Sequence, residues 1–342
     1  LQVAAYHRAT ALKLAEVDRI LDRWPLKLYP SQLLEEPQQG MVPLKILLSL
    51  PDLGVNVEKE REVEVQVSEG MRQFLQQHYS LHDRSRPTEF IGGACDRQKF
   101  YGEASIKALF GVLQSQPTLI LESEVAGDRL NFRIAYWGLN DGNYYYQTIA
   151  KIPYTQILTE SAQQRAIAWK TLRSQLIAAG EDPELVDDLG GNNAANLAVL
   201  ERELRWQHQG IDVTQLRQEY QFDRVDLDVL CQYLIRCHTL VAAWIADIYH
   251  LQMRDVQPQL PQLLSTLLQE PIERSLIEAI VGGYRQMYGA LAASRQSWLP
   301  ELYLQLAQSL SHLPDRTWAR AQLEESVRVW LELRQVSVEA SW

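Results

Sequence analysis

The chain has 342 residues, of which 46% are hydrophobic and 22% are charged, and its formal net charge is -10. This composition predicts folded domains with apolar cores and excludes a largely disordered chain. The acidic balance argues against broad binding of nucleic acid or anionic lipid, because both depend on clustered Lys and Arg.

The first elements predicted are a helix to about Arg23 and a Pro-rich link, which together occupy residues 1–39. The apolar run 44–50 is typical of a buried strand. The run 61–68 alternates charged residues with Val, which predicts a half-exposed strand. A short helix should follow it, with Ser68 as the N-cap.

A strand, a helix and three further strands are predicted next. The run 88–93 should be a short strand that stops at two glycines, and 103–114 has its apolar residues on one helical face. The three strand-like runs are 118–125, 129–137 and 143–152. Ala126-Gly127-Asp128 predicts a hairpin between the first pair, and Asn140-Asp141-Gly142 predicts a turn between the second pair.

The second of these hairpins is rich in aromatic residues, and two interpretations compete for it. Tyr, Phe and Trp fit the pleated surface of a sheet, where aromatic pairs across strands stabilise it. The same side chains could instead form a platform for a ligand. The ordinary role of such residues favours the sheet core.

After Pro153 the pattern predicts helices only. The predicted fold class is therefore α+β: an N-terminal mixed or antiparallel sheet with helices, followed by an all-α helical bundle or short irregular solenoid. We place the α+β domain at residues 40–153 and the helical domain at residues 154–342. Within the helical part, the run 224–253 is apolar nearly all round and should be central.

The best sequence candidate for a ligand site is the segment Phe90–Ser105. Gly92 and Gly93 follow a predicted strand and precede a helix, so their N–H groups could hold an anion with help from Arg97 and Lys99. The segment matches neither of the common phosphate-binding fingerprints. A tight turn is the simpler interpretation of the glycines.

No group of residues predicts catalysis or metal binding. Cys95 has no family signature around it, and the spacing of His78 and His82 lacks the Glu that a zinc protease would need. Glu122 and Glu124 suggest paired carboxylates or simply an exposed strand edge. We therefore expect no catalytic residue, no metal ligand and no cofactor.

A second set of polar residues lies on the apolar helix 224–253. His238, Asp247 and His250 could suggest a di-iron carboxylate bundle, but the sequence lacks the second Asp-x-x-His or Glu-x-x-His pair and the further Glu-bearing helices of such a site. We predict that they are hydrogen-bonded core groups.

The cysteines and the apolar runs indicate the compartment. Three cysteines, Cys95, Cys231 and Cys237, do not form a disulfide framework, so we expect a cytoplasmic protein. The most apolar run, 240–251, is too short to cross a bilayer and includes charged residues, so we expect no transmembrane segment.

The stretches "IKALFGVLQSQPTLILESEVAGDRLNFRIAYWG" and "YYYQTIAKIPY" resemble an uncharacterised type of α+β protein from cyanobacteria. The resemblance extends over about residues 106–169. It implies a cyanobacterial source and a cytoplasmic location, and it implies no activity, cofactor or site.

Two functions from different classes remain open. The first is a non-enzymatic interaction, scaffold or adaptor component of a cytosolic assembly, which binds protein partners or itself through Trp298, Trp318 or Trp330. The second is a small-molecule or nucleotide-binding domain, with or without enzymatic activity, whose site is at the Gly92–Gly93 turn. Binding of nucleic acid is not expected.

Overall fold

The computed structural model describes residues 24–34, 42–49, 51–53, 57–96, 98–100, 102–138, 142–211, 219–269, 272–291, 293–313 and 315–339. Helix makes up 62% of the structure, and a five-stranded mixed sheet in the N-terminal part precedes a helical region. The α+β fold class is confirmed. The predicted helix before Arg23 and the candidate residue Arg97 lie outside the described residues.

The elements follow in chain order. The strands are β1 (Leu44–Leu48), β2 (Thr88–Ile91), β3 (Thr118–Ala126), β4 (Arg129–Trp137) and β5 (Tyr145–Ile152). The helices are α1 (Pro30–Leu33), α2 (Val57–His78), α3 (Gly102–Leu113), α4 (Tyr154–Ala178), α5 (Pro183–Gly190), α6 (Asn192–His208), α7 (Arg224–Arg254), α8 (Leu260–Leu267), α9 (Arg274–Gly289), α10 (Leu299–Leu310) and α11 (Thr317–Glu339). A 3-10 helix, Ala293–Trp298, precedes α10.

The sheet has the strand order β2-β1-β3-β4-β5. Strand β1 pairs in parallel with both β2 and β3, and helices α2 and α3 form the two crossovers. The two-residue connection between β3 and β4 allows only antiparallel pairing. Gly127 in that connection has a φ of 71°, a conformation that a residue with a side chain seldom adopts.

Strand β4 of the aromatic hairpin β4–β5 divides its side chains between two helical layers. Trp137 is buried, packs edge-on against Phe110 of α3 and donates from its indole Nε1 to the carbonyl oxygen of Leu113 at 2.9 Å. Phe132 points to the other face, where its ring lies 4.6 Å from the imidazole of His238 in α7. The buried aromatic residues of the hairpin are therefore core residues, as predicted. The expectation that the hairpin forms the centre of the sheet is wrong, because β5 is an edge strand and β3 is the middle one.

Helix α2 corrects the prediction of a strand at residues 61–68. Val63, Val65 and Val67 alternate with charged residues, which imitates the period of a strand. Val63, Val67 and Met71 are also spaced by four, so they share one helical face, and all three are buried. Val65 is 66% exposed on the helix surface, and Ser68 lies inside the helix instead of capping it.

The chain forms two compact units. One consists of Leu1–Glu124, Asn131–Lys151 and Ile235–Trp342, and the other of Val125–Leu130 and Ile152–Leu234. This division differs from a boundary at residue 153 because the helices after Leu234 belong to the unit that contains the sheet. The reason lies in α7, whose second half is almost entirely buried there. Helices α5 and α8, which begin beside prolines, were not predicted.

In the smaller unit an Arg165-centred network and a tryptophan–glycine contact hold the helices together. The Arg165 guanidinium pairs with Asp226 at 2.6 Å and with Asp223 at 2.6 Å. Gly190 lies directly under the ring of Trp169, since a Cβ at that position would be 2.6 Å from the indole. Only glycine permits this approach.

Helix Arg224–Met253 is long and apolar enough to cross a membrane by length and composition. Within the structure, 72% of its most apolar window is buried. Core helices of soluble proteins pass the same test, so this observation carries no argument for a membrane.

Candidate functional site

A cleft lies at the carboxyl ends of the parallel strands. Strands β1 and β3 are neighbours, and the connections that follow them leave in opposite directions across the sheet, one towards β2 and the other towards β4. Right-handed crossovers place α2 and α3 on opposite faces of the sheet. In open α/β sheets, the point where the connections of neighbouring strands diverge leaves a crevice at the strand ends, and ligands bind there.

The cleft has a volume of about 400 Å³. Its floor consists of residues that follow β1 and residues that end β3: the amide of Ser49 donates to Leu121, and the amide of Asp52 donates to Ser123, both at 2.9 Å. One wall comes from the segment that leads into α3, including Gly102.

The lining is rich in charge. Among the described lining residues are three carboxyl groups, Asp52, Glu122 and Glu124, and one guanidinium, that of Arg133. Arg133 forms an ion pair with Glu124 and lies 3.9 Å from Oε1 of Glu122. Glu122 and Glu124 therefore share a face, as their spacing predicts, but Glu122 is only 8% exposed and does not lie on an exposed edge. The reason is that β3 is interior to the sheet.

Glu122 is held from two further sides. Tyr146 of β5 donates from its hydroxyl to Oε2 of Glu122 at 2.7 Å. The start of α3 lies close above them, because a Cβ at Gly102 would be 3.4 Å from the Tyr146 hydroxyl oxygen and 3.8 Å from Glu122 Oε1. Gly102 has a φ of 45°, so its backbone conformation favours glycine.

Burial raises the pKa of Glu122, and the Tyr146 hydrogen bond and the Arg133 charge oppose the rise. Because the folded value lies above the unfolded value, the folded state holds the proton more tightly. The resulting stability is fully present below the unfolded pKa of about 4.3 and is lost as the pH rises through the folded pKa.

We expect Glu122→Gln, which remains neutral, to gain stability relative to the parent as the pH rises. The two proteins should have similar melting temperatures near pH 4, and the variant should melt increasingly later than the parent towards pH 7. Thermal melts across this range test the expectation. Glu62→Gln, at an exposed position, is the matched control, and a Glu122→Gln difference that stays constant with pH would contradict the linkage.

The predicted anion site at the glycine turn lies next to contacts within the protein. The carbonyl oxygen of Gly93 accepts a hydrogen bond from Lys27 Nζ at 2.9 Å, and residues 25–27 pair with residues 94–96. Asp96 accepts the backbone N–H groups of residues 98 to 100, including that of Lys99. Gly92, Gly93 and Lys99 are not among the described lining residues of the cleft, which begins at Cys95 on this side.

The buried thiol of Cys95 lies at the back of the cleft. Burial and the nearby carboxylate of Glu64 raise its pKa above the range in which a thiolate forms at neutral pH. Within the described parts of the chain, no three His, Cys, Asp or Glu side chains are arranged to share a metal ion.

The polar residues of α7 are hydrogen-bonded core groups, as predicted. His238 Nε2 lies 3.2 Å from the Ser123 hydroxyl oxygen, and His250 Nε2 lies 3.0 Å from that of Thr88. Asp247 is buried and accepts four hydrogen bonds. Its donors are the hydroxyls of Tyr79 and Tyr284 and the amides of Gln259 and Leu260.

The three candidate interaction tryptophans have different environments. The Arg274 guanidinium lies 5.1 Å above the half-buried ring of Trp318, and Trp298 is half-buried where the 3-10 helix meets α10. Trp330 is 45% exposed on α11. Of the three, Trp330 offers the most surface to a partner.

Comparison with known proteins finds no match: no family model matches the chain, and no curated protein or solved structure matches it significantly. The function is therefore argued from the clefts, charges and surfaces of the chain itself.

Proposed function

We propose that the protein binds a small cationic molecule in the cleft at the carboxyl ends of β1 and β3. The observation that carries the proposal is a cleft of ligand size at the point where the connections after β1 and β3 diverge. Its position is close to the site expected from the sequence, but its floor is formed by strand ends instead of the glycine turn.

The charge of the lining favours an amine or guanidinium ligand over a nucleotide. Among the described lining residues, three carboxyl groups face one guanidinium, and Arg133 is already paired with Glu124. A phosphate would meet repulsion from the carboxylates, whereas a ligand cation can share them. Glu122, one of these three carboxyl groups, and the Tyr146 hydroxyl bonded to it are groups that can form hydrogen bonds with a ligand.

Agmatine, which carries a guanidinium and an amine, is a suitable probe. Isothermal titration should detect its binding, with an affinity that falls as salt is added. Glu124→Gln should weaken binding at least 10-fold, whereas Glu62→Gln, at an exposed position outside the cleft, should leave it unchanged. No agmatine binding up to 10 mM, or equal binding of the dianion glutarate, would contradict the proposal.

A second candidate function is an interaction component that associates with itself through α11. One side of this helix packs in the fold: Ser326 and Val329 are buried, and the Ser326 hydroxyl donates to the carbonyl oxygen of Pro300 at 2.6 Å. A second apolar face remains exposed. It consists of Leu323, Val327, Trp330 and Leu331, each between 45% and 51% exposed.

The order of charges along α11 indicates which partner fits this face. Arg320, Glu324, Arg328 and Glu332 alternate in sign at intervals of four residues and form ion pairs along the helix. In an antiparallel pair of copies, with a two-fold axis near residue 326, each Arg faces a Glu of the other copy. A two-fold axis close to this one also brings the exposed apolar face of one copy against the same face of the other, as an isologous interface requires.

We expect Arg328→Glu to weaken dimerisation at least 10-fold in sedimentation experiments, since it places a second carboxylate opposite Glu324 of the other copy. Adding Glu324→Arg should restore the dimer, because every Arg of one copy then faces a Glu of the other copy again. A parent protein that is monomeric at 100 µM, or a double variant as weak as the single one, would count against self-association through α11.

A further inference from the structure

The larger of the clefts lies between the aromatic hairpin and the helices α7 and α9, away from the strand-end cleft. Its volume is about 670 Å³, within the range of about 300–1,000 Å³ that is usual for small-molecule sites. All its described lining residues belong to the unit that contains the sheet.

Aromatic rings form two sides of this aromatic cleft. On the hairpin side, the rings of Tyr136 and Tyr145 lie 4.8 Å apart at an angle of 34°. On the helix side stands Trp244, which is 6% exposed. Flat rings on two sides offer stacking surfaces for a planar molecule.

The position of Trp244 depends on a glycine in α9. A Cβ at Gly283 would lie 2.1 Å from Cζ2 of Trp244, so the indole packs directly against the helix backbone. The neighbouring Gly282 is different, since a Cβ there would meet nothing within 4 Å. Two adjacent glycines inside a helix reduce its stability relative to alanines. Packing against Trp244 accounts for Gly283 but not for Gly282, whose position opens onto the cleft.

Two polar atoms in the walls are buried without a hydrogen-bond partner among the described residues. One is Nε1 of Trp244, a donor, and the other is Oε1 of Gln252, an acceptor. Both atoms lie below the surface of the cleft, so the hydrogen-bonding groups that a heterocycle can reach are the amides of other lining residues. Gln147 and Gln286 add amide groups to the lining.

Charge excludes most phosphorylated ligands from the aromatic cleft. Glu278 is the one charged side chain among the described lining residues, and it pairs with Arg274 at 2.9 Å. The described lining therefore offers no Lys or Arg that could neutralise a phosphate.

We propose that the aromatic cleft binds an uncharged planar heterocycle of two or three fused rings, stacked between the hairpin tyrosines and Trp244. This site is independent of the cation site proposed above, because the two clefts share none of their described lining residues.

Three uncharged probes test the proposal: riboflavin, lumichrome and adenosine. Stacking on Tyr and Trp should quench the fluorescence of the two flavin-type probes, and calorimetry reports on adenosine. At least one should bind with a Kd below 100 µM. FMN, which is riboflavin with a phosphate, should bind at least 10-fold more weakly than riboflavin.

Variants of two glycines locate the site. Gly282→Leu should fill the cleft and weaken binding at least 10-fold, while the melting temperature remains the same or rises because Leu favours the helix. Gly111→Leu is the matched control, because Gly111 is also an exposed helical glycine with open space around it. It should leave binding unchanged. Tyr145→Ala, at a side chain 41% exposed, should weaken binding without unfolding the protein.

The outcomes that would overturn the proposal are distinct. If none of the three probes binds with a Kd below 100 µM, the proposed ligand class is wrong. If FMN binds as tightly as riboflavin, the charge argument is wrong. If Gly282→Leu and Gly111→Leu weaken ligand binding equally, the ligand does not bind in the aromatic cleft. Loss of agmatine binding in Glu124→Gln leaves this proposal untouched, since that variant alters the other cleft.

Discussion

Asp247→Ala is expected to destabilise the sheet-bearing unit by several kcal/mol. The carboxylate accepts hydrogen bonds from Tyr79 and Tyr284 and from two amides at the start of α8, at distances of 2.6 to 2.9 Å. Removing it leaves four donors without that acceptor in a site from which water is excluded, and each costs about 1–3 kcal/mol. Domains are stable by only about 5–15 kcal/mol, so the loss is a large fraction of the total.

The loss of stability in Asp247→Ala should have an electrostatic cause as well as a steric one. Burial raises the pKa of Asp247, and the four donors, which favour the carboxylate, oppose the rise. Asp247→Asn keeps the shape but presents an NH2 group to donors, so it should lie between the parent and Asp247→Ala. Urea unfolding of these proteins, with Glu62→Ala as a surface control, measures the series. An Asp247→Ala protein within about 1 kcal/mol of the parent would contradict it.

Phe132→Ala is the second large loss expected. The ring is fully buried between the sheet and α7, next to the imidazole of His238. Truncation of a buried Phe leaves a cavity and costs about 3–5 kcal/mol. Ile134→Ala, also fully buried, should cost about 2–5 kcal/mol for the same reason.

The tyrosines of β5 provide a graded comparison in the same sheet. Tyr145 is 41% exposed, so Tyr145→Ala should change the melting temperature little. Tyr146 packs against the α3 side of the core and donates to Glu122, so Tyr146→Ala should cost more than Tyr145→Ala and less than Phe132→Ala. Four melting curves that overlay the parent would show that the hairpin is not part of the core.

The sheet could be predicted because its signals are local. Strand β3 has a run of apolar residues, β4 and β5 have apolar and aromatic residues at the spacing of a strand, and turn residues stand between the strands. The prediction of a strand at residues 61–68 was wrong because the spacing of Val63 and Val67 fits the period of a strand and the period of a helix. The segment is helical because a helix buries Val63, Val67 and Met71 against the core. No local sequence signal shows that these residues contact the core.

The candidate sites depend on contacts that the sequence does not specify. The sequence predicts that Glu122 and Glu124 share one face of a strand. It does not predict that this strand lies inside the sheet, that Arg133 lies beside it, or that α3 starts above it. Likewise, the pair Gly282–Gly283 is visible as an oddity within a helix. Its partner, Trp244, lies on another helix, and only the folded chain brings the two together.

The interruption of the sheet-bearing unit by residues 152–234 has a consequence for folding during synthesis. Tyr79 and its acceptor Asp247 are 168 residues apart, and Phe132 packs against His238 of α7. A nascent chain that ends near residue 234 has completed the strands but lacks the part of α7 that contacts Phe132. Apolar surface exposed in this way promotes aggregation until the rest of α7 emerges. Chains truncated near residue 234 should accordingly be recovered as aggregates, although they contain every strand.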